Sequence, residues 1–275
     1  MRTLKRMCGN GAAWSGAAGQ DFLGHRIAFG LAGFAVFIGI WFVLGYTVFM
    51  QPAYHQFADM LPVPTLKAML ILFGEGRFWQ SVGASLRRVL VGLVLAFSLG
   101  LPAGILIGFY PRLRLVANAP VQFLRMISPL SWMPIALLLF ASFEGAIYFL
   151  ITIATVWPVL LTTSMGVAHV NRQWLLMAKN QGASGRQLIW HVVLPASLPY
   201  IFTSLRLALG VAWIVLVPVE FLGVSSGLGY LINDARDTLS YDRLMGVILA
   251  IGILGFVLDS VIQTLQRSFN WNRSH

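Results

Sequence analysis

Six long apolar runs constrain this chain more than any other feature of its sequence. They cover residues 27–49, 82–108, 117–141, 146–168, 198–222 and 244–266, and the first reads "IAFGLAGFAVFIGIWFVLGYTVF". A helix rises 1.5 Å per residue, so about 20 residues cross the roughly 30 Å hydrocarbon core of a bilayer. Unpaired backbone groups are too costly in lipid for anything but helices or closed barrels. Continuous apolar runs without strict alternation favour helices. The expectation is an all-α polytopic membrane protein with about six transmembrane helices. Composition agrees, since 58% of the 275 residues are hydrophobic and 10% charged, against about half and a quarter in soluble domains.

The net charge of +10 raises nucleic acid as a partner, and the placement of that charge removes it. With the N-terminus in the cytoplasm, inner segments hold Arg2, Lys5, Arg6, Arg26, Arg112, Arg114, Arg172, Lys179, Arg186, Arg267 and Arg273. Outer segments hold Lys67, Arg77 and Arg236, with Arg87, Arg88 and Arg243 near outer span ends. That bias follows the positive-inside rule and predicts both termini in the cytoplasm. Residues 1–26 read as a short cytoplasmic leader, because the apolar run behind Arg2, Lys5 and Arg6 is too long for a signal-peptide core. Residues 27–275 then form one transmembrane domain. Cys8 is the only cysteine, so no intrachain disulfide is expected, and "LKRM" before it lacks the small residues of a lipid-attachment site.

Between the spans, "TLKAMLILF" in the outer segment 50–80 suits a short helix on the bilayer surface. "YPRLR" reads as a tight inner turn, "SFEG" as a tight outer one, and residues 223–242 as a polar, acidic outer loop. The longest inner connection, residues 169–197, has more structure. "RQWLLMAKN" is helix-compatible, and Gly182 can supply the left-handed residue that ends it. Ser184 with Gln187 three residues later makes a capping-box pattern. A second helix over 185–193 puts Leu188, Ile189 and Val192 on one face, and Pro195 stops it. A helix, a glycine corner and a short helix offered to the cytoplasm suit docking in a partner's groove; an ordinary surface loop is the alternative.

This connection resembles the inner loop of binding-protein-dependent ABC importer permeases. Their signature is Glu-Ala-Ala, three residues, Gly, nine residues, an aliphatic residue, one more, then Leu-Pro. Gly182 fills the glycine, Val192 the aliphatic position and Leu194-Pro195 the close, while the opening triplet falls on Leu176, Met177 and Ala178. Only Ala178 matches there, so a charged contact at the missing glutamate is not carried over. "PASLPYIFTSLRLALGVAWIVLVPVEFLGVSSGLGYLINDARD" and "YDRLMGVILAIGILGFVLD" are similar to the nitrate/sulfonate/taurine branch of that family. The resemblance spans most of the chain after residue 60.

It implies a type I ABC importer permease-like bundle, multi-pass in the bacterial inner membrane. Two permease copies, a homodimer in this branch, would line a path. A periplasmic solute-binding protein would deliver a small anion (nitrate, a sulfonate or a taurine-like solute), and cytoplasmic ATPase subunits would carry ATP and Mg. Ala178, Gly182, Ala183, Ser184, Gly185, Leu194 and Pro195 would then be the ATPase-coupling residues. No cofactor is expected on this chain itself. A phosphate-cradling loop needs Gly-x-x-x-x-Gly-Lys-Ser/Thr, and none of Lys5, Lys67 and Lys179 follows a glycine. The chain is therefore expected not to be an enzyme, with hydrolysis on a separate subunit.

Ionisable groups inside spans are functional candidates by default. Arg125 and Arg206 each lie eight residues from their inner span ends and Asp259 seven, about 10–12 Å deep at 1.5 Å per residue. Asp259 is expected to pair with one of them, most simply Arg206, either as a structural pair or with a role in transport. Glu220, after Pro218 near an outer end, would line the path, meet the binding protein, or sit solvated or paired with an arginine. His25, His55, His169, His191 and His275 lack metal-ligand spacing. A self-sufficient secondary carrier and a polytopic membrane enzyme remain as alternatives; the former often shows broken midplane helices, the latter clustered carboxylates or histidines.

Overall fold

The computed structural model describes the backbone of residues 14–271 and the side chains of residues 29–266 except Leu31. Arg2, Lys5, Arg6, Cys8, His25, Arg26, Arg267, Arg273 and His275 lie outside the described side chains. Two compact units divide the chain, residues 1–67 and 68–275.

In the first unit, helix α1 (Trp14–Phe49) is followed by a 3-10 turn (His55–Met60). Helix α1 is described from Trp14, so residues 14–26 of the proposed leader are helical. Helix α2 (Pro62–Gly74) crosses the unit boundary.

The second unit holds α3 (Gly76–Phe109), α4 (Pro111–Leu124), α5 (Met133–Leu139) and α6 (Phe143–Ala168). After them come α7 (Arg172–Asn180), α8 (Gly185–Leu188), α9 (Leu194–Gly223), α10 (Leu228–Asp237) and α11 (Tyr241–Trp271). Among the described residues there is no strand. Five helices among those residues are long and apolar enough to cross a membrane, or six if the bent pair α4–α5 counts as one span.

The centre is α3 against α6, with α9 packed against both. Val89 and Leu93 from α3, Leu150 and Ile151 from α6, and Ala212 and Leu216 from α9 share one buried cluster. Burial gains little in lipid, whose tails are as apolar as leucine, so close van der Waals contact has to hold such helices together. α3 provides it with Gly92, Ala96, Gly100, Gly104 and Gly108, one small residue every fourth position. A Cβ on Gly92 would stand 2.4 Å from Ile151 Cγ2, and one on Gly108 would stand 2.7 Å from the Ser164 carbonyl. Backbone meets backbone along this stripe.

A second cluster gathers Leu72 of α2, Phe78 of α3, Leu228 and Leu231 of α10, and Val247 and Ala250 of α11. α2 packs through Met69 and Leu72 into this core and leaves Leu66, Leu70 and Ile71 exposed on its other face. One expectation changes here. The "polar outer loop" contains α10, whose Leu228, Leu231 and Ala235 are buried at helical spacing.

The third span is not one straight helix. α4 and α5 meet at 83° across a short break. Ser128 is extended (φ −57°, ψ 131°) before Pro129, as the clash of a proline ring with the preceding residue requires. The inner turn is also shorter than "YPRLR". Tyr110 alone separates α3 from α4, and Pro111 opens α4 at the position where its missing N–H costs nothing.

Candidate functional site

The inner connection folds into an elbow. The Asn171 side chain caps α7 by accepting the Gln173 N–H at 2.8 Å. At the other end Gly182 takes φ +83°, its N–H donates to Lys179 O at 2.9 Å, and the Ala183 N–H donates to Ala178 O at 3.0 Å. Those two bonds form a Schellman motif, which requires the left-handed residue that glycine supplies. Ser184 then starts α8 with a reciprocal capping box. Its N–H donates to Gln187 Oε1 at 2.8 Å, and the Gln187 N–H donates back to Ser184 Oγ at 3.4 Å.

Pro195 does not stop the second helix. After α8 the backbone makes one π turn (Ile189–Val193) and runs directly into α9. The Leu194 N–H reaches Ile189 O, five residues back. A proline ring crowds the carbonyl four residues before it, and the wider turn lets the helix continue. The extra residue also moves the buried face, so Val193 rather than Val192 joins Leu188 in the interior. A Cβ added to Gly182 or Gly185 would meet no atom within 4 Å, so the corner is open. Trp174 and Met177 are exposed in a cleft of about 560 Å³ that Ala178, His191 and Pro195 also line, and Trp190 is exposed on the same elbow.

Of the intramembrane charges, Arg206 and Asp259 are together. Arg206 Nε and Nη2 each donate to one Asp259 carboxylate oxygen at 2.7 Å. The side chains are 38% and 43% exposed, so the pair lies on a face of this chain and not inside its bundle. Charges at that depth avoid lipid; such a face belongs against water or another protein chain. Asp259→Ala is expected to lower the yield of extractable, monodisperse protein, and adding Arg206→Leu to restore it. No rescue in fluorescence-detected size exclusion would count against a pair held for mutual neutralisation. Arg125 is apart from both, exposed at the break between α4 and α5, and makes no ion pair among the described residues.

Glu220 is paired with an arginine rather than solvated or open to a binding protein. It is fully buried, in a network that sequence reasoning missed. Arg88 Nη1 donates to Glu220 Oε1 at 2.6 Å and to the Ser226 carbonyl at 2.7 Å. Ser85 Oγ lies 2.8 Å from both Glu220 oxygens and accepts the Leu228 N–H at 2.9 Å, while the Gly229 N–H donates to Glu220 Oε2 at 3.0 Å. Arg88 also grips Glu144 at the start of α6. Gly227 (φ +112°) leaves no room for a Cβ, which would stand 2.5 Å from the Glu220 carboxyl carbon. Four helices are tied together: α3, α6, α9 and α10. The legible signals were Ser85 and Arg88 on one helical face and the Gly-x-Gly at 227–229.

Among the described residues no three His, Cys, Asp or Glu side chains are placed to hold a metal ion. "GVSSG" at residues 223–227 spells Gly-x-Ser-x-Gly, but it joins two helices rather than a strand and a helix, so the nucleophile-elbow geometry is missing.

Among the described residues, a bundle of helices long and apolar enough to span a membrane, with a capped glycine elbow, places the chain in the class of polytopic α-helical membrane proteins. Residues 100–271 match the family model described as "Binding-protein-dependent transport system inner membrane component". The bicarbonate transport system permease protein of Synechococcus elongatus is 35% identical over 241 residues, covering 82% of this chain and 86% of that one. The taurine transport system permease protein of Escherichia coli is 31% identical over 252 residues, covering 89% and 90%. The nitrate import permease protein of Leptolyngbya laminosa is 35% identical over 188 residues, covering 68% and 67%. The inward-facing MetNI methionine ABC transporter shares the fold, with a TM-score of 0.61 at 18% identity over 70% of this chain and 98% of that one. This chain belongs to the family of binding-protein-dependent transport system inner membrane components.

Proposed function

We propose that this chain is the permease subunit of an ATP-driven importer for a small solute bearing a compact oxyanion. It takes its solute from an external binding protein and its power from separate cytoplasmic ATPase subunits. The observation that carries this reading is the open elbow at Gly182, a rigidly capped corner flanked by exposed Trp174, Met177 and Trp190 in a chain that carries no phosphate loop of its own. Ala178, Gly182, Ala183, Ser184 and Gly185 form the contact, and Leu194 and Pro195 pass its motion into α9. ATP and Mg belong to the ATPase. A second copy of this chain completes the path, with Arg125 at the α4–α5 break as an unpaired cation for an anionic solute. The three relatives' cargoes, bicarbonate, nitrate and taurine, each place three oxygens on one central atom, and that group is the shared chemistry to recognise.

Gly182→Val isolates the elbow, because the space around it is free and only the left-handed backbone is penalised. That strain costs about 1–2 kcal/mol, enough to shift a conformational balance roughly tenfold. Copurification with the ATPase and ATP-driven uptake are expected to fall together, while the amount of membrane-inserted chain stays unchanged. Full uptake by the Val variant would refute the coupling role.

The bend between α4 and α5 favours one second reading, a self-sufficient secondary carrier, since such carriers use broken helices at the midplane. Uphill uptake of bicarbonate, nitrate or taurine by the lone chain in liposomes, driven by an ion gradient without ATP, would establish that reading instead.

A further inference from the structure

At the inner end of the bundle, α3, α4 and α6 line an open cavity of about 230 Å³, at which Arg114, Asn118 and His169 are exposed. Its walls are Ile107, Val121, Leu160, Leu161 and Met165, with four polar groups set among them: Arg114, Asn118, Ser164 and His169. Sites for drug-sized ligands run from about 300 Å³ upward, so this one suits a smaller molecule or the headgroup of a larger one.

The polar groups are rich in donors and include no acid. Arg114 has one N–H committed, from Nη2 to Gly108 O at 2.6 Å, which steadies the guanidinium beside the cavity. Its remaining donors face no carboxylate, and Arg114 makes no ion pair among the described residues. Asn118 lies one helical turn further along the same face of α4. Ser164 is 7% exposed and lines the cavity, and its hydroxyl makes no hydrogen bond among the described residues and is accessible to a ligand or to water. His169 at the rim is fixed by Met165 O at 2.7 Å and by stacking on Tyr200.

We infer that this cavity is an inner-side binding site for an oxyanion, a phosphate or sulfonate group held by Arg114, Asn118 and Ser164 with an apolar arm against the leucine wall. Two sources share that chemistry: a small free organic anion in the cytoplasm, and the phosphate of an anionic lipid in the inner leaflet. Arginine suits either, because its planar fork matches the geometry of such groups. The inference rests on the transport reading only for the side of the membrane on which the cavity opens.

The test uses the full chain with its ATPase partners in phosphatidylcholine nanodiscs. One arm titrates ethanesulfonate by calorimetry. The other follows retention of added phosphatidylglycerol by native mass spectrometry. Arg114→Gln is expected to weaken one of these at least about tenfold, equivalent to about 1.4 kcal/mol, and Arg112→Gln, outside the cavity, to weaken neither. A change confined to ethanesulfonate assigns a free anion; a change confined to phosphatidylglycerol assigns a lipid. Ser164→Leu, which fills the cavity without touching its charge, is the second variant should Arg114→Gln fail to assemble. Neither probe responding to either variant overturns the site. Uptake by the same complex keeps the two ideas apart: ATP-driven uptake with an unresponsive cavity sinks only this inference, and absent uptake sinks the transport reading.

Discussion

Glu220→Ala is expected to remove most of the folded protein, although the residue lies far from the elbow. Its carboxylate is wholly enclosed and holds Arg88, Ser85 and the Gly229 N–H. Truncation leaves the Arg88 guanidinium (1% exposed) with Glu144 as its one carboxylate beside the Ser226 contacts, and strands the Ser85 hydroxyl proton and the Gly229 amide. Breaking a buried pair by deleting one partner costs about 3–5 kcal/mol, a large share of the roughly 5–15 kcal/mol that holds a domain folded. The measurement is the unfolding temperature and monodisperse yield in detergent. Glu220→Gln, which keeps an acceptor for Ser85 and Gly229, should fall between. The double variant Arg88→Met with Glu220→Leu should recover much of the loss, because an apolar replacement of both partners carries no stranded charge. A wild-type melting temperature for Glu220→Ala would show that the network is not what ties α3 to α9 and α10.

Gly104→Leu is expected to be as damaging for the opposite reason, too much matter where there is no room. A Cβ there would stand 2.7 Å from the Leu160 carbonyl oxygen and 2.8 Å from Thr163 Cβ. A backbone carbonyl cannot rotate away as a side-chain tip can, so α3 and α6 must separate. Overpacking costs about 1–3 kcal/mol where side chains can yield, and more is expected here. Gly83, on the same helix with nothing within 4 Å, is the control. Gly83→Leu should be neutral or slightly stabilising, since leucine exceeds glycine in helix propensity by up to about 1 kcal/mol. Equal melting temperatures for the two variants would remove the close-packing account of the α3–α6 seam.

The readable and unreadable parts of this sequence divide along physical lines. Apolar run length sets the spans, and the cap chemistry of Gly182, Ser184 and Gln187 depends on neighbours within a few residues, so both can be read locally. Equal depth along consecutive spans is likewise a matter of counting, and it leads to Arg206 and Asp259. Which side of α9 that pair occupies is not, and it lies on a face rather than in the interior. Arg88 reads as a topology charge because its partner is 132 positions away in the chain, and nothing local distinguishes a gripped arginine from a solvated one near a span end. The α3 stripe is present as a four-residue period, but it is written in glycine and alanine, which a search for large apolar faces passes over. α10 is hidden in the same way by its charges, Asp234, Arg236 and Asp237, on a helix whose Leu228, Leu231 and Ala235 are buried.

Because the π turn carries the backbone past Pro195 without a break, residues Gly185–Gly223 form a single 39-residue apolar helical stretch. At 1.5 Å per residue that is about 58 Å, longer than the bilayer is thick. One end is the capped corner at Ser184, and Glu220 sits three residues from the other. In the proposed coupling, a push on the corner would reach the enclosed carboxylate through one unbroken run of helical backbone, with the π turn, Pro199 and Pro218 as the places where that run can bend.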